Sequence, residues 1–315
     1  MEEIRQTHKE VLVLDSGDLL FKKYIAPIPG YEVKEAAEKA QLIVDAFGLM
    51  GYDAFGIGDD DLTLGKDFLV DLSKKATFPF LSSNLYDVES GNPLFQPYLV
   101  KEVKGLRIGI FSLLSPDLFR PDDPRIKGLE VKPPVEVAST LVKELQSKSD
   151  LIILLSHLGY PKDMELAQIL PGIHIIVGGH TGVNLLNPPV IKNSILLQTP
   201  SKGMYVGRLD LQLRHPGSSF YNVTTKQTLE RNLINVQKRI ASRNVTEAEK
   251  LQWQKTREGF EKQLEQLKGR NEFSNAILPL TEQVKDHPEI AKRVEAFKAR
   301  AIEASKPPIP KRQSP

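Results

Sequence analysis

The sequence predicts an α/β fold followed by a pair of helices. Short apolar runs alternate with segments of helical periodicity through residues 1–214. Runs of this length, bounded by Gly, Asp and Pro, are typical of buried strands, and their alternation with helices is typical of βαβ units. Beyond residue 214 the pattern becomes helical and rich in charge. We therefore predict an α/β domain over 1–214, a helical hairpin extension over 215–305 and a Pro-rich tail over 306–315.

The composition excludes several classes of protein. Of 315 residues, 40% are hydrophobic and 26% charged, which is ordinary for a globular chain. No apolar run approaches the roughly 20 residues that a membrane-spanning helix needs. The net charge of +2 provides no field that would favour nucleic acid or an anionic membrane. Cys is absent, which excludes disulfides, thiolate metal ligands and Cys nucleophiles.

Seven apolar runs in the first part predict strands. They lie at 11–14, 54–57, 80–81, 108–111, 151–155, 173–177 and 195–197. Apolar residues at spacings of three and four predict amphipathic helices over 33–50 and 135–148. A further strand is predicted at 206–213, where apolar and polar residues alternate as they do near a sheet edge.

The extension is predicted to form an antiparallel helical hairpin. Apolar residues recur with helical spacing in 229–242 and again in 247–270. Thr246 and Glu249 have the spacing of a capping box, which favours a helix start between the two segments. The charged flanks are interpreted as solvated faces, and Trp253 is expected to pack within the hairpin. A short helix is predicted over 288–305, before the prolines of the tail prevent its continuation.

Four polar side chains follow predicted strands, which is where open α/β sheets place their sites. Asp18 lies in a Gly-Asp turn, Asp59 begins a run of three carboxylates, His157 follows an apolar strand, and His180 follows two glycines. Taken singly, each has an ordinary explanation as a turn residue, a helix cap or a packed histidine. His174, within its strand, is interpreted in that ordinary way.

Taken together, two carboxylates and two imidazoles form a suitable ligand set for Zn, Mn or Fe. We therefore predict that Asp18, Asp59, His157 and His180 converge on one divalent metal ion. Such an ion can polarise a phosphoryl oxygen and lower the pKa of a bound water molecule.

The order of these motifs resembles the calcineurin-like metallophosphoesterases, and most closely their 5′-nucleotidase branch. The resemblance covers roughly 1–214 and rests on five segments, at 14–18, 58–61, 79–84, 156–159 and 178–182. It implies a four-layer αββα sandwich that hydrolyses a small phosphoester with metal-bound water. Family members are often secreted or periplasmic, although residues 2–5, Glu-Glu-Ile-Arg, do not read as an export signal.

Members of the family bind two metal ions. This chain departs from the family pattern at the ligands of the first ion. No Asp-x-His strand precedes Asp18, and Gly182 stands where the last motif has a second His. Asp18 is the one ligand of the first ion that this sequence retains. All four ligand positions of the second ion are present, as Asp18, Asp59, His157 and His180, with Asp59 replacing the family's Asn. The resemblance therefore implies a single metal ion.

Two further residues are implied to act in catalysis. Asp60 stands where the family uses a His to stabilise the transition state and protonate the leaving oxygen. A carboxylate there would normally be ionised and repel phosphate, so it could act as a general acid only with a strongly raised pKa. Asn84 is implied to orient a phosphate or a water molecule.

Three functional hypotheses remain open from the sequence. The first is a weak or altered metal-dependent phosphoesterase. The second is a degenerate scaffold that binds one metal or an anion and uses the helical hairpin as a surface for a partner or a dimer. The third is an α/β binding protein without metal, in which the three consecutive carboxylates form a solvated turn.

Overall fold

A computed structural model describes residues 2–200, 202–215, 217–242 and 245–304 of the chain. The predicted Pro-rich tail, 306–315, lies outside the described residues. Among the residues described, no helix is both long and apolar enough to cross a membrane.

Two sheets form the centre of the fold. The first is parallel and comprises, in spatial order, β1 (Leu14–Asp15), β2 (Ala54–Gly56) and β3 (Phe80–Leu81). The second comprises, in spatial order, β10 (Val190–Ile191), β11 (Ser194–Leu197), β9 (Ile175–Gly178), β8 (Leu151–His157), β6 (Leu106–Leu114) and β5 (Tyr98–Val103). Its four central strands are parallel, and an antiparallel strand lies at each edge.

The two sheets pack face to face because alternate residues of their strands enter a shared core. Ala54 of β2 lies in the same buried cluster as Ile110 of β6 and Ile153 of β8. Gly56 permits the close approach of the sheets, since a Cβ there would lie 2.6 Å from Ser112 Oγ. The other face of each strand points outward to the helices.

Helices cover the outer face of each sheet. They are α2 (Gly30–Met50) and α3 (Gly65–Ser73) on the first sheet, and α4 (Pro134–Lys148) and α5 (Tyr160–Ile169) on the second. Phe55 of β2 belongs to a buried cluster with Val44 and Leu69, while Phe111 of β6 belongs to another with Leu145. The order of layers is helix, sheet, sheet, helix, which confirms the predicted αββα sandwich.

The end of the chain adds a third sheet and three helices. The sheet comprises, in spatial order, β12 (Tyr205–Gln212), β14 (Asn271–Pro279) and β13 (Phe220–Asn222). Between β13 and β14 lie two helices that contact each other, α6 (Val223–Ile240) and α7 (Glu247–Leu267), which form the predicted hairpin. Helix α8 (Pro288–Ala304) returns to contact α2.

Details of the hairpin agree with the sequence pattern. Thr246 and Glu249 form both hydrogen bonds of a capping box at the start of α7. Trp253 lies within the hairpin, with the Arg239 guanidinium 4.6 Å from its ring centroid. Sequence patterning missed β14, which pairs with every residue of β12. The third sheet therefore contains strands from both sides of residue 214, and the domain division at that point stays a prediction.

Short elements complete the described chain. They are α1 (Glu2–Thr7), the antiparallel pair β4 (Leu85–Asp87) and β7 (Leu129–Val131), and the 3-10 helices Asp60–Leu62, Pro116–Leu118 and Pro124–Ile126. Two of these 3-10 helices, Asp60–Leu62 and Pro124–Ile126, carry side chains of the candidate site described below.

Phe273 of β14 offers a test of how the extension is anchored. Its side chain is 1% exposed and belongs to the core shared by the two central sheets. We expect Phe273→Ala to lower the free energy of unfolding by about 3–5 kcal/mol, because it leaves a cavity in that core. Urea unfolding followed by circular dichroism measures the change. Leu251→Ala on the exposed face of α7 serves as the control, and a loss below about 1 kcal/mol for Phe273→Ala would contradict the expectation.

Candidate functional site

The turn after β1 places Asp18 at the carboxyl end of the first sheet. Gly17 has φ +102° and Asp18 has φ +61°, a left-handed conformation that few non-glycine residues adopt. A Cβ on Gly17 would lie 2.3 Å from Gly58 N and 2.9 Å from His157 Nδ1. Glycine is therefore required for the chain to pass between β2 and β8.

Asp61 holds this turn in place with its carboxylate. It is fully buried and accepts four backbone N–H groups: those of Asp18, Leu19, Leu20 and Gly58, at 2.8–3.0 Å. Burial, reinforced by the nearby Asp18 carboxylate, raises the pKa of Asp61 to about 7. These four bonds offset the strain at Asp18 and fix that residue against the loop after β2.

His157 ends β8 and is completely buried. Its Nδ1 lies 2.7 Å from the Ser16 carbonyl oxygen, which can only accept, so Nδ1 carries the proton of that bond. The other ring nitrogen, Nε2, then faces Asp18 Oδ2 at 3.1 Å and Asp59 Oδ1 at 3.3 Å. In metal-binding histidines, one ring nitrogen usually donates a hydrogen bond to a backbone carbonyl or a carboxylate. This bond orients the ring so that the other nitrogen can bind the metal.

Two buried atoms at this point have no hydrogen-bond partner among the described residues: His157 Nε2 and Asp59 Oδ1. Burial lowers the pKa of His157, but its contacts with the Asp18 and Asp59 carboxylates prevail and hold it well above the usual value. Conversely, burial raises the pKa of Asp59, but its contacts with His157 and His180 and the hydrogen bond from Arg125 prevail and hold it well below the usual value. The arrangement thus favours a positive charge between the two groups.

His180 reaches the same point from the loop after β9. It has φ +64°, and Gly179 before it is tightly enclosed, since a Cβ there would lie 2.9 Å from His157 Nδ1. His180 Nδ1 is 3.6 Å from Asp59 Oδ1. The His180 and His157 rings pack edge to face, with their centroids 5.4 Å apart. Gln198 holds the loop by donating to the Gly179 carbonyl at 2.6 Å.

The structure thus brings together four of the predicted site residues. One ligand atom from each of Asp18, Asp59, His157 and His180 lies within 4.8 Å of all the others. Their two oxygens and two nitrogens suit Zn, Mn or Fe. Buried polar atoms normally have hydrogen-bond partners, so the two that lack them are consistent with ligand atoms that would bind a cation. His180 and Asp18 are partly exposed, so the cluster opens to solvent on that side.

The structure places Asp60 outside this cluster. Its Oδ1 accepts the Tyr24 N–H at 2.8 Å and an Arg125 N–H at 3.2 Å, while its own N–H donates to Asp18 Oδ1 at 2.9 Å. Burial raises the pKa of Asp60, and the Asp18 and Asp59 charges act in the same direction, whereas the bond from Tyr24 and the charge of Arg125 oppose it. Asp60 therefore lies beside the candidate ligands as half of a buried ion pair.

Asn84, which was expected to orient a phosphate or a water molecule, has its polar atoms bound to backbone groups. It is fully buried, its two amide N–H groups donate to the Leu114 and Lys132 carbonyls, and its oxygen accepts the Leu114 N–H. The side chain therefore ties β4 to the end of β6, and we leave it out of the proposed chemistry. His174 is packed as expected: Nδ1 accepts the Ile152 N–H, and burial lowers its pKa.

Sequence reasoning missed Arg125, the residue that holds the outer oxygen of Asp59. Its Nη1 donates to Asp59 Oδ2 at 2.8 Å from the 3-10 helix Pro124–Ile126. The surrounding Pro-Asp-Asp-Pro-Arg has no hydrophobic period and belongs to none of the recognised motifs. Nothing in that segment indicated that it would fold over the loop after β2.

Sequence comparison finds relatives among the 5′-nucleotidases and metallophosphoesterases. The chain is 29% identical over 237 residues to a 5′-nucleotidase of Vibrio cholerae, covering 65% of this chain and 41% of that protein. It is 30% identical over 219 residues to an uncharacterized metallophosphoesterase of Bacillus subtilis, covering 67% of this chain and 45% of that protein. The chain thus spans less than half the length of these curated relatives. A scan against protein-family profiles finds no match.

Solved structures have the same fold. A 5′-nucleotidase precursor from Thermus thermophilus aligns with a TM-score of 0.66 and 23% identity, over 96% of this chain and 52% of that one. The calcineurin-like phosphoesterase YfkN from Bacillus subtilis aligns with a TM-score of 0.64 and 19% identity, over 97% and 88%. The chain belongs to the calcineurin-like metallophosphoesterase superfamily, in the branch of the 5′-nucleotidases.

Asp163, beneath the site, makes stability depend on pH. It is 2% exposed and is hydrogen-bonded to the Ser156 hydroxyl, and burial raises its pKa from the usual 3.8 to about 7. Between these values the folded state holds a proton that the unfolded state has lost. The stabilisation is therefore fully present below pH 4 and is lost as the pH rises through 7.

We expect the free energy of unfolding of the wild type to fall, relative to Asp163→Asn, by up to about 4 kcal/mol between pH 4 and pH 8. The variant keeps a neutral side chain throughout and lacks this contribution. Urea unfolding in a chelating buffer at several pH values measures the difference. Asp71→Asn, on the surface, is the control, and parallel pH curves for wild type and Asp163→Asn would refute the prediction.

Proposed function

We propose that this member of the 5′-nucleotidase branch binds one divalent metal ion and hydrolyses a small phosphoester. The ligands are Asp18, Asp59, His157 and His180. The observation that carries the proposal is the pair His157 Nε2 and Asp59 Oδ1, buried 3.3 Å apart and without hydrogen-bond partners in the described chain. When bound, the ion would polarise a phosphoryl oxygen and acidify a coordinated water molecule.

The protein's own groups fix the ligands before any metal arrives. The Ser16 carbonyl selects the ring tautomer of His157, and the Asp61 carboxylate fixes the turn of Asp18. Gln198 accepts the Thr181 hydroxyl and the Val183 N–H, both at 3.1 Å, and so closes the His180 loop. Such preorganisation lowers the entropy lost when a ligand set closes on an ion.

Hydrolysis is proposed to be weak or altered relative to a two-metal phosphoesterase. Gly182 stands where the family's last motif has a second His that binds the first metal, and Asp60 replaces the family's catalytic His. Asp60 Oδ1 is bound by Tyr24 and Arg125, so this carboxylate is poorly placed to protonate a leaving oxygen. Loss of a general acid typically lowers a rate by about 10²–10⁴.

The hydrogen bonds that Asp60 accepts from Tyr24 and Arg125 also favour a second candidate function. In that alternative the sandwich is a scaffold that binds one metal or an anion without turnover. The hairpin of α6 and α7 then provides the partner surface, on which Ile234 and Leu251 are exposed. The relatives named 5′-nucleotidases suggest a nucleotide as the phosphoester, and we propose that class without choosing a base.

His180→Ala tests the ligand assignment. We expect it to reduce bound Mn²⁺ or Zn²⁺ sharply, because it removes one of four ligands and leaves the cluster open. Elemental analysis after dialysis and calorimetric titration measure occupancy and affinity. His287→Ala, an exposed histidine before α8, is the matched control. Unchanged occupancy in His180→Ala would show that the metal is held elsewhere.

Turnover separates the two candidate functions. We expect wild-type protein with added Mn²⁺ to hydrolyse p-nitrophenyl phosphate slowly, and Asp59→Ala to lose this activity along with its metal. Release of p-nitrophenol is the readout. A wild type that binds metal but releases no product, from this ester or from a nucleoside monophosphate, would favour the scaffold.

A further inference from the structure

Arg125 is a buried cation next to the candidate metal ligands. Its side chain is 6% exposed, and its guanidinium lies over the rings of Tyr24 and Phe119, at 4.4 and 5.1 Å from their centroids. It projects from the 3-10 helix Pro124–Ile126, between β6 and β7. Because a guanidinium does not lose its proton in proteins, this residue supplies a fixed positive charge.

All five N–H donors of Arg125 are engaged within the described chain. Nε and Nη2 bind the Asp123 carboxylate at 3.0 and 2.8 Å, and Nη2 also donates to the Leu118 carbonyl at 3.3 Å. Nη1 donates to Asp59 Oδ2 at 2.8 Å and to Asp60 Oδ1 at 3.2 Å. With these partners no donor is left for a substrate. Any effect on a bound phosphate must therefore act through the charge of Arg125 and through the three carboxylates that it binds.

The site contains more negative charge than one divalent ion can offset. Asp18, Asp59, Asp60 and Asp123 bring four carboxylates together, so a divalent ion alone would leave two negative charges over. At low local dielectric a leftover charge repels an anion strongly. We infer that Arg125 is the positioning residue that offsets one of these charges and holds Asp59 Oδ2 and Asp60 Oδ1 away from the metal, so that the loaded site can accept a phosphate. This inference rests on the proposed function.

The sign of the effect distinguishes this role from a merely structural one. A positive charge beside a site weakens the binding of a cation and strengthens the binding of an anion. Removing Arg125 should therefore move the two affinities in opposite directions. A residue that only supports the loop would, when removed, loosen the site and weaken both.

The test uses the full chain, with Mn²⁺ and inorganic phosphate as probes. Arg125→Met removes the charge and keeps an apolar stem against Tyr24, and Asp60→Asn removes one carboxylate with Arg125 in place. Arg107→Met, which breaks an exposed ion pair with Asp150, is the matched control. Calorimetry measures the affinity for Mn²⁺ and then the affinity of the Mn²⁺-loaded protein for phosphate, once circular dichroism shows a native fold.

We expect Arg125→Met to bind Mn²⁺ at least as tightly as wild type and phosphate about tenfold or more weakly. Asp60→Asn should bind phosphate more tightly than wild type. The double variant Arg125→Met/Asp60→Asn should return to near the wild-type phosphate affinity, and Arg107→Met should change neither affinity.

Unchanged phosphate affinity in Arg125→Met, or weaker binding of both Mn²⁺ and phosphate in that variant, would overturn the inference without contradicting the proposed function. If Arg125→Met does not fold, Asp60→Asn provides the test. Phosphate binding by Asp60→Asn that is equal to or weaker than that of the wild type would then overturn the inference. A wild type that binds Mn²⁺ but not phosphate also overturns it. A wild type that binds no Mn²⁺ contradicts the proposed function itself, and the role of Arg125 with it.

Discussion

The arrangement at the end of β8 depends on how His157 is held. Its imidazole is fully buried, one nitrogen bound to the Ser16 carbonyl and the other facing the carboxylates of Asp18 and Asp59. Burying a ring nitrogen against two carboxylate oxygens is unfavourable unless a proton or a metal ion lies between them. The rest of the site holds the His157 ring within 3.1–3.3 Å of the Asp18 and Asp59 carboxylates.

Tight loops at the carboxyl ends of the strands provide those means. Asp18 and His180 both adopt left-handed backbone conformations, which are strained for residues that carry a Cβ. The strain is offset locally, by four backbone bonds to Asp61 in one loop and by Gln198 in the other. Neither supporting side chain offers a ligand atom to the cluster, yet each determines where a ligand atom lies.

Much of the fold could be predicted from the sequence, and parts of the site could not. Strands such as β8 are predictable because five consecutive apolar residues need burial on both faces. Strand β14 was missed because Asn271–Pro279 carries polar residues and depends on pairing with β12 from a distant part of the chain. The four candidate ligands were predictable since each lies at or just after the end of a strand. Arg125 was not, because its position depends on loop packing that leaves no periodic signal.

In the proposed site, the four side chains at the sheet ends hold a single cation. Crystals soaked in Mn²⁺ and measured at the manganese absorption edge test it most directly. We expect one anomalous peak per chain, coordinated directly by Asp18, Asp59, His157 and His180. A peak bound by other residues, or no peak in crystals of the intact fold, would contradict it.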